Sequence, residues 1–315
     1  MNSALKQGLR TLLGALITML VASVLVFTAL QFVPGNPAVE IAGSDASPEQ
    51  VAQIEHRLGL DQSAWLRYFD WLFGVLRGDL GTSYHYQQSV WSLLQPRIGN
   101  TLLLDLYATL LVILFGVGLG ILATRVPKLN GLVTVITSVL IGLPSFVAAV
   151  LLIHLFAVKL GWFPAVGAGG PGLGSKIVAL TLPSIALSLA WTAFLGQIAR
   201  ASLRDQASRE HVETARGRGL SSGSVFWRHI FRNGAVPIVT VVSLTGGGLI
   251  AGSVVVEKAF ALDGIGSFLV QSVISKDASV VLAIVMILVV IFVVLTTIAD
   301  LLHLWLDPRL RKGRT

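Results

Sequence analysis

Six stretches of the chain stay apolar for about 20 residues or more, enough to cross the hydrocarbon core of a bilayer: 11–32, 101–123, 132–158, 177–198, 236–256 and 280–302. Each predicts a membrane-spanning helix. Lys6 and Arg10 precede the first run, which is longer than the core of a signal peptide and is read as a retained helix. The polar stretch 33–99 then carries seven acids and four arginines, with Trp65, Tyr68, Trp71, Tyr84, Tyr86 and Trp91. Leu66, Phe69, Leu72 and Leu76 recur in it at helical spacing, with Trp71 less regular, which predicts amphipathic helices at the membrane interface. The expected organisation is an N-terminal segment with the first span over 1–32, an outer domain over 33–99, a spanning core over 100–304 and a tail over 305–315.

One polar island, 200–233, interrupts the core. It holds seven arginines (200, 204, 209, 216, 218, 228 and 232) against Asp205, Glu210 and Glu213. Its pattern predicts two short helices with a break. Ser208 would cap the first, Gly217 and Gly219 would end it in a left-handed turn, and Ser221 or Ser222 would cap the second. Val225 and Phe226 stand four residues before His229 and Ile230, so an apolar strip runs along the second helix. A basic helix-turn-helix raises the question of DNA, but spans abut both ends and leave little linker to reach a duplex. A loop that only balances topology accounts for the arginines and not for the ordered cap, break and cap.

Composition agrees with the pattern. Of 315 residues, 54% are hydrophobic and 12% charged, about half the usual charged share. The net charge of +7 here reports loop placement. With six spans, fifteen of the 23 Lys and Arg collect on the side that holds both termini and the 200–233 island. The positive-inside rule makes that side the cytoplasm. There is no cysteine, which excludes disulfides and thiolate metal sites.

Candidate chemistry is sparse. The stretch from Gly167 to Gly172 matches a dinucleotide pattern, and 169–176 falls one residue short of a phosphate loop because Ser175 stands before Lys176. On the outer face this reads as a glycine-rich turn. Asp105, His154, Lys159 and Asp300 lie within or near spans, where charge is costly. Asp105 is the one placed to line an outward-facing cavity. There is no HExxH, no metal-ligand cluster and no nucleophile–base pair, so neither an enzyme nor a metal protein is indicated. Gly116, Gly118 and Gly120 in the second span, and Gly246, Gly247, Gly248 and Gly252 in the fifth, predict close helix packing. Pro144, Pro183 and Pro237 would loosen the third, fourth and fifth spans. Asp105, Pro144, Gly246 and Gly248 are the candidates for a translocation pathway.

The segment Glu213-Thr214-Ala215-Arg216-Gly217-Arg218-Gly219 resembles the EAA loop of ATP-binding-cassette (ABC) importer permeases, with Thr214 in place of the first alanine. Arg228-His229, Arg232-Asn233 and the delayed Pro237 resemble the branch that carries dipeptides, oligopeptides and nickel; Gly234 stands where alanine is commoner. Elsewhere in the chain, Pro34-Gly35-Asn36-Pro37, Leu58-Gly59-Leu60-Asp61, Arg67-Tyr68, the Gly78 to Ser83 segment, Asn100-Thr101-Leu102, Gly161-Trp162-Phe163-Pro164, Glu257 with Phe260, Gly264-Ile265-Gly266 and Asp307-Pro308-Arg309 are similar to the same branch.

The resemblance implies an all-α polytopic membrane protein of six spans with the type I importer permease fold and a helical outer domain. It implies the first of two permease subunits in a bacterial cytoplasmic membrane, working with a second permease, two ATPase subunits and an extracytoplasmic substrate-binding protein. ATP and Mg would be bound by the partner subunits and not by this chain. Glu213, Thr214, Ala215, Gly219, Arg228, His229, Arg232 and Asn233 would form the ATPase-coupling element, with a coupling helix over 208–218. Short peptides are the first substrate class, with nickel, haem or another small solute as alternatives. A lone ion-coupled transporter is the competing class. It calls for buried carboxylates near the midplane, which the sequence pattern does not indicate.

Overall fold

The computed structural model describes residues 3–32, 35–43, 46–167, 169, 170 and 172–306, without the side chains of 3–12, 40 and 299–306. Pro34, Asp307, Pro308 and Arg309 lie outside the described residues, as do the side chains of Lys6, Arg10 and Asp300.

The chain is helical, and among the described residues the only extended pairing is an isolated bridge between Thr82 and Ser89. In order, the helices are α1 (Ser3–Gln31), α2 (Pro37–Ala42), α3 (Pro48–Arg57), α4 (Ala64–Leu76), α5 (Val90–Arg125), α6 (Pro127–Ile141), α7 (Ser145–Lys159), α8 (Leu173–Ala207), α9 (Glu210–Gly217), α10 (Ser222–Ala259), α11 (Ile265–Ile274) and α12 (Ala278–Leu306). Five of them are long and apolar enough to cross a membrane, and α6 with α7 makes a sixth crossing if the bent pair is one span.

That pair corrects the third expected span. The run 132–158 is not one loosened helix, because α6 and α7 meet at 101°. Pro144 sits at the N-cap of α7 in extended conformation (φ −61°, ψ 141°), lacks an N–H to continue the ladder and keeps the residue before it out of the helical region. Pro96, Pro183 and Pro237, by contrast, lie inside continuous helices. The second span also starts earlier than the hydropathy suggests, at Val90, because its first turns are amphipathic and pack on protein.

The residues form two compact units, 1–101 with 263–293, and 102–262 with 294–315. The first holds α1–α4 and α11. Asn36 caps α2 by accepting from the Ala38 N–H at 2.9 Å, and Ser47 and Gln50 form a capping box on α3. Tyr68 is buried on Phe27 of α1, and its hydroxyl meets Ser23 at 2.9 Å. Asp277 is fully buried and accepts from the Ser83 hydroxyl and the His85 N–H, which pins the loop before α12. Arg97 bonds Asp263 at 2.7 Å and lies over the Phe268 ring.

In the second unit α8 is the central helix, with buried residues along its length from Ala179 to Leu203. Small residues let its neighbours approach. A Cβ on Gly116 would meet Leu195 of α8 at 2.9 Å, and one on Gly120 would overlap Ala199. Gly118 has no such neighbour, so the predicted triplet packs through two of its three members. On the other flank, α10 brings Gly234 against Leu203 and Gly252 against Leu187. Much of the remaining apolar surface is exposed; in the most apolar window of α12, for instance, only 33% is buried within the chain, as expected where lipid supplies the solvent.

Candidate functional site: the α9 knob

The polar island folds differently from its pattern in three respects. Arg200 and Arg204 belong to α8, which runs on to Ala207. Arg200 turns inward and donates to Asn130 at 2.8 Å and Thr134 at 2.6 Å, tying α8 to α6. Ser208 is not an N-cap; it ends α8, with its hydroxyl donating to the Asp205 carbonyl at 2.9 Å. The cap position of α9 falls to Arg209, which makes no capping bond and pairs with Asp205 at 2.9 Å instead. The knob helix is therefore 210–217, shorter than the expected 208–218. Nor is there a second short helix. Ser221 does accept from the Ser224 N–H, but the helix it starts runs on through a π-helical turn, Val225–Phe231, to Ala259 as a single 38-residue helix.

The knob itself is two-faced. Val212 is fully buried and Ala215 nearly so, three residues apart, and they seat on Leu203, Val225, Phe226 and Ile230. Glu213, Thr214, Arg216 and Arg218 are exposed on the other side. Glu210 and Glu213 lie in the first turn, where the helix dipole favours negative charge. Gly219 leaves the helix at φ +78°, its N–H donating to the Arg216 carbonyl at 2.9 Å. No atom would lie within 4 Å of a Cβ there, so glycine is required by the left-handed backbone alone.

A polar latch joins the knob to α10. Asn233 donates to the His229 carbonyl at 2.7 Å and lies 3.3 Å from His211 Nε2, which is itself 3.4 Å from that carbonyl. His211 was not singled out by the sequence pattern; its signal is a polar residue beside an apolar anchor, Val212, which many helices share. Arg228 and Arg232 are exposed. Arg125 from the end of α5 lies 4.1 Å over the Phe226 ring, which braces the seat from behind. The whole arrangement is a short charged projection with an apolar base. Among the described residues no group of His, Asp and Glu could hold a metal.

The pathway candidates fall in the other half of this unit. Asp105 is 8% exposed, with both carboxylate oxygens lacking a hydrogen-bond partner, and Glu257, 1% exposed, is in electrostatic contact with it. The sequence did not flag Glu257 as buried, because it lies five residues before Leu262 in a stretch that reads as a polar helix end. Asp105 and Glu257 are thus two buried carboxylates, each near the end of its predicted span (101–123 and 236–256) and not at the midplane position that a lone ion-coupled transporter calls for. Pro144 forms the α6–α7 corner. Gly246 faces Leu295, and Gly248 faces Trp191 so closely that a Cβ would overlap the indole. In the glycine-rich turn, Gly167 donates to the Phe260 carbonyl at 3.0 Å, and among the described residues no strand precedes it.

Five helices long and apolar enough to cross a bilayer, with a bent helix pair as a sixth crossing, define a polytopic membrane protein. Residues 116–312 match the family of binding-protein-dependent transport system inner membrane components, and residues 4–105 match the N-terminal part of such membrane components. The chain belongs to this family and is a multi-pass inner-membrane permease of a binding-protein-dependent ABC importer. It is 34% identical over 311 residues to the glutathione transport system permease protein GsiC of Salmonella typhimurium, covering 98% of this chain and 99% of that one. A Brucella abortus permease protein named for a peptide transport system is 35% identical over 308 residues, covering 96% and 98%. The fold is similar to the inward-facing MetNI methionine ABC transporter (TM-score 0.58, 16% identity, 68% of this chain and 96% of that one) and to an amino acid ABC transporter with histidines (TM-score 0.53, 19% identity, 67% and 93%).

Proposed function

We propose that this permease carries short peptides, glutathione-sized or smaller, into the cytoplasm. On this reading it forms half of the pathway beside a second permease, and α9 is the element through which ATPase subunits move it. The observation that carries the coupling role is the two-faced seat of α9. Val212 and Ala215 fasten it to α8 and α10, so force applied to the exposed face around Glu213 is passed to two long helices and not absorbed by a loop. Thr214, Ala215 and Gly219 shape the projection, while Arg228 and Arg232 add positive charge beside it and His229 and Asn233 hold it. ATP and Mg belong to the partner subunits, and ATP hydrolysis is theirs. Closure of the two ATPases would draw the knobs of the paired permeases together and open the outer mouth to a loaded binding protein. The peptide substrate is supported by the names of the relatives at 34–35% identity. Asp105, Pro144, Gly246 and Gly248 remain the proposed pathway positions, with the α6–α7 corner as the place where the wall of the pathway changes direction.

The test is a reconstituted importer in which Glu213→Ala is compared with wild type for peptide-stimulated ATP hydrolysis and uptake. Basal hydrolysis is expected to persist and the peptide-dependent increment to be lost; unchanged stimulation and uptake would sink the coupling role. The absence of native cysteine allows a Thr214→Cys variant to report orientation. An impermeant maleimide should label it in inverted vesicles and not in intact cells.

A further inference from the structure

The ends of three spanning helices meet around a cavity of about 330 Å³. Thr124 and Arg125 at the end of α5, Ala207 at the end of α8 and Ser222 at the start of α10 line it, and Arg216 enters from α9. All five residues belong to one compact unit. We propose that this cavity binds the phosphate of an anionic phospholipid, whose headgroup bridges Arg125 and Arg216 and so ties α9 to the end of α5.

The argument starts from two guanidinium groups in one cavity. Arg125 lies 4.1 Å over the Phe226 ring and 5.7 Å from the centre of the Trp227 ring. Stacking of this kind holds a guanidinium by its face and leaves its N–H edge for a planar or tetrahedral oxyanion. The ion pairs among the described residues are Arg97 with Asp263 and Arg209 with Asp205, so neither Arg125 nor Arg216 is in one. Two forks of N–H donors facing a shared space match the oxygens of a phosphate, which each can grip with two bonds. The Ser222 and Gly223 N–H groups, in the first turn of α10, add donors that the helix itself does not use.

Depth and surroundings separate a lipid from a soluble anion. Arg125 stands two residues beyond the apolar run 101–123, the level at which hydrocarbon gives way to headgroups. Leu122 and Val126 on either side of it, and Trp227 beneath it, are all exposed. Trp is favoured at the membrane interface, and an apolar border next to paired arginines suits a ligand that has both a phosphate and acyl chains. Basic pockets between the ends of spanning helices are places where acidic headgroups collect. A free phosphate would satisfy the arginines and leave the border unused.

The consequence falls on the knob. The eight residues of α9 are otherwise seated through Val212 and Ala215 on α8 and α10. A phosphate between Arg216 and Arg125 gives the knob a third attachment, to α5. The proposal concerns this chain and its lipid alone, so it stands or falls apart from the role of α9 toward ATPase subunits.

The experiment places the full chain in nanodiscs of phosphatidylcholine with rising fractions of phosphatidylglycerol. Hydrogen exchange over 210–217 and the lipids retained in native mass spectrometry are the two readouts. Phosphatidylglycerol is expected to raise the protection of 210–217 saturably and to be retained over phosphatidylcholine. Arg216→Gln should raise the fraction needed for half-saturation at least tenfold, and because this side chain is exposed the fold should hold. Lys128→Gln combined with Arg218→Gln removes two exposed charges that do not line the cavity, and it should leave both readouts unchanged. Inorganic phosphate in millimolar excess should not compete. Displacement of the lipid by inorganic phosphate would overturn the proposal by making the occupant a soluble anion. Equal retention of the two lipids, equal losses in the two variants, or undiminished retention in folded Arg216→Gln would each overturn it as well. If Arg216→Gln unfolds, the preference between the two lipids and the phosphate competition on the wild type decide by themselves.

Discussion

Truncating Val212 should undock the knob without unfolding the protein. Its side chain is fully buried against Leu203, Val225 and Phe226. Val212→Ala removes two methyl groups, which at about 0.8 kcal/mol per buried carbon comes to about 1.6 kcal/mol of lost transfer energy. Incomplete collapse of the cavity adds to that, giving about 2 kcal/mol in all. The α9 helix has only eight residues, too few to stand without its seat. The loss therefore falls on the docking equilibrium of this one segment, where about 2 kcal/mol is a factor of about 30 in the undocked population. Hydrogen exchange by mass spectrometry on peptides covering 210–217 is the direct assay. Their protection should fall by about that factor while peptides from α8 keep theirs. In the reconstituted importer, peptide-stimulated ATP hydrolysis should fall in step with protection. Exchange across 210–217 unchanged from wild type would refute the seating argument, and uncoupling without a change in exchange would refute the link from seat to function.

Two further predictions follow from glycines. Gly219→Ala should cost about 1–2 kcal/mol of local stability in exchange experiments, because the φ of +78° is the whole reason for glycine there, and Gly219→Asn should recover part of it. Gly120→Ala should lower the thermal midpoint of the purified permease by overpacking α5 on α8, at about 1–3 kcal/mol, whereas Gly118→Ala, with open space around it, should leave the midpoint unchanged. A smaller effect at Gly120 than at Gly118 would contradict the helix contact described for α5.

The sequence by itself determined what the bilayer demands of it. Length and hydropathy mark the apolar runs, because backbone groups in lipid must pair within their own segment and helix is the local way to do so. It also determined the position of the knob, since an arginine-rich island with a left-handed glycine between apolar runs is local information. Tertiary structure decided everything that depends on what lies opposite. Ser208 has the residue type of an N-cap, but the α8 ladder reaches it first through Asp205. Arg200 reads as part of a basic loop until Asn130 and Thr134 are placed across from it. The α6–α7 corner needs Pro144 to meet a chain direction that hydropathy does not encode. Glu257 reads as a surface residue at a helix end, and only the fold puts it beside Asp105 in an apolar core. His211 is one polar residue among many until α10 brings the His229 carbonyl and Asn233 to it. Periodicity records which side of a helix is buried, and the partner on that side comes from distant parts of the chain, so single-residue roles emerge only once the helices have packed.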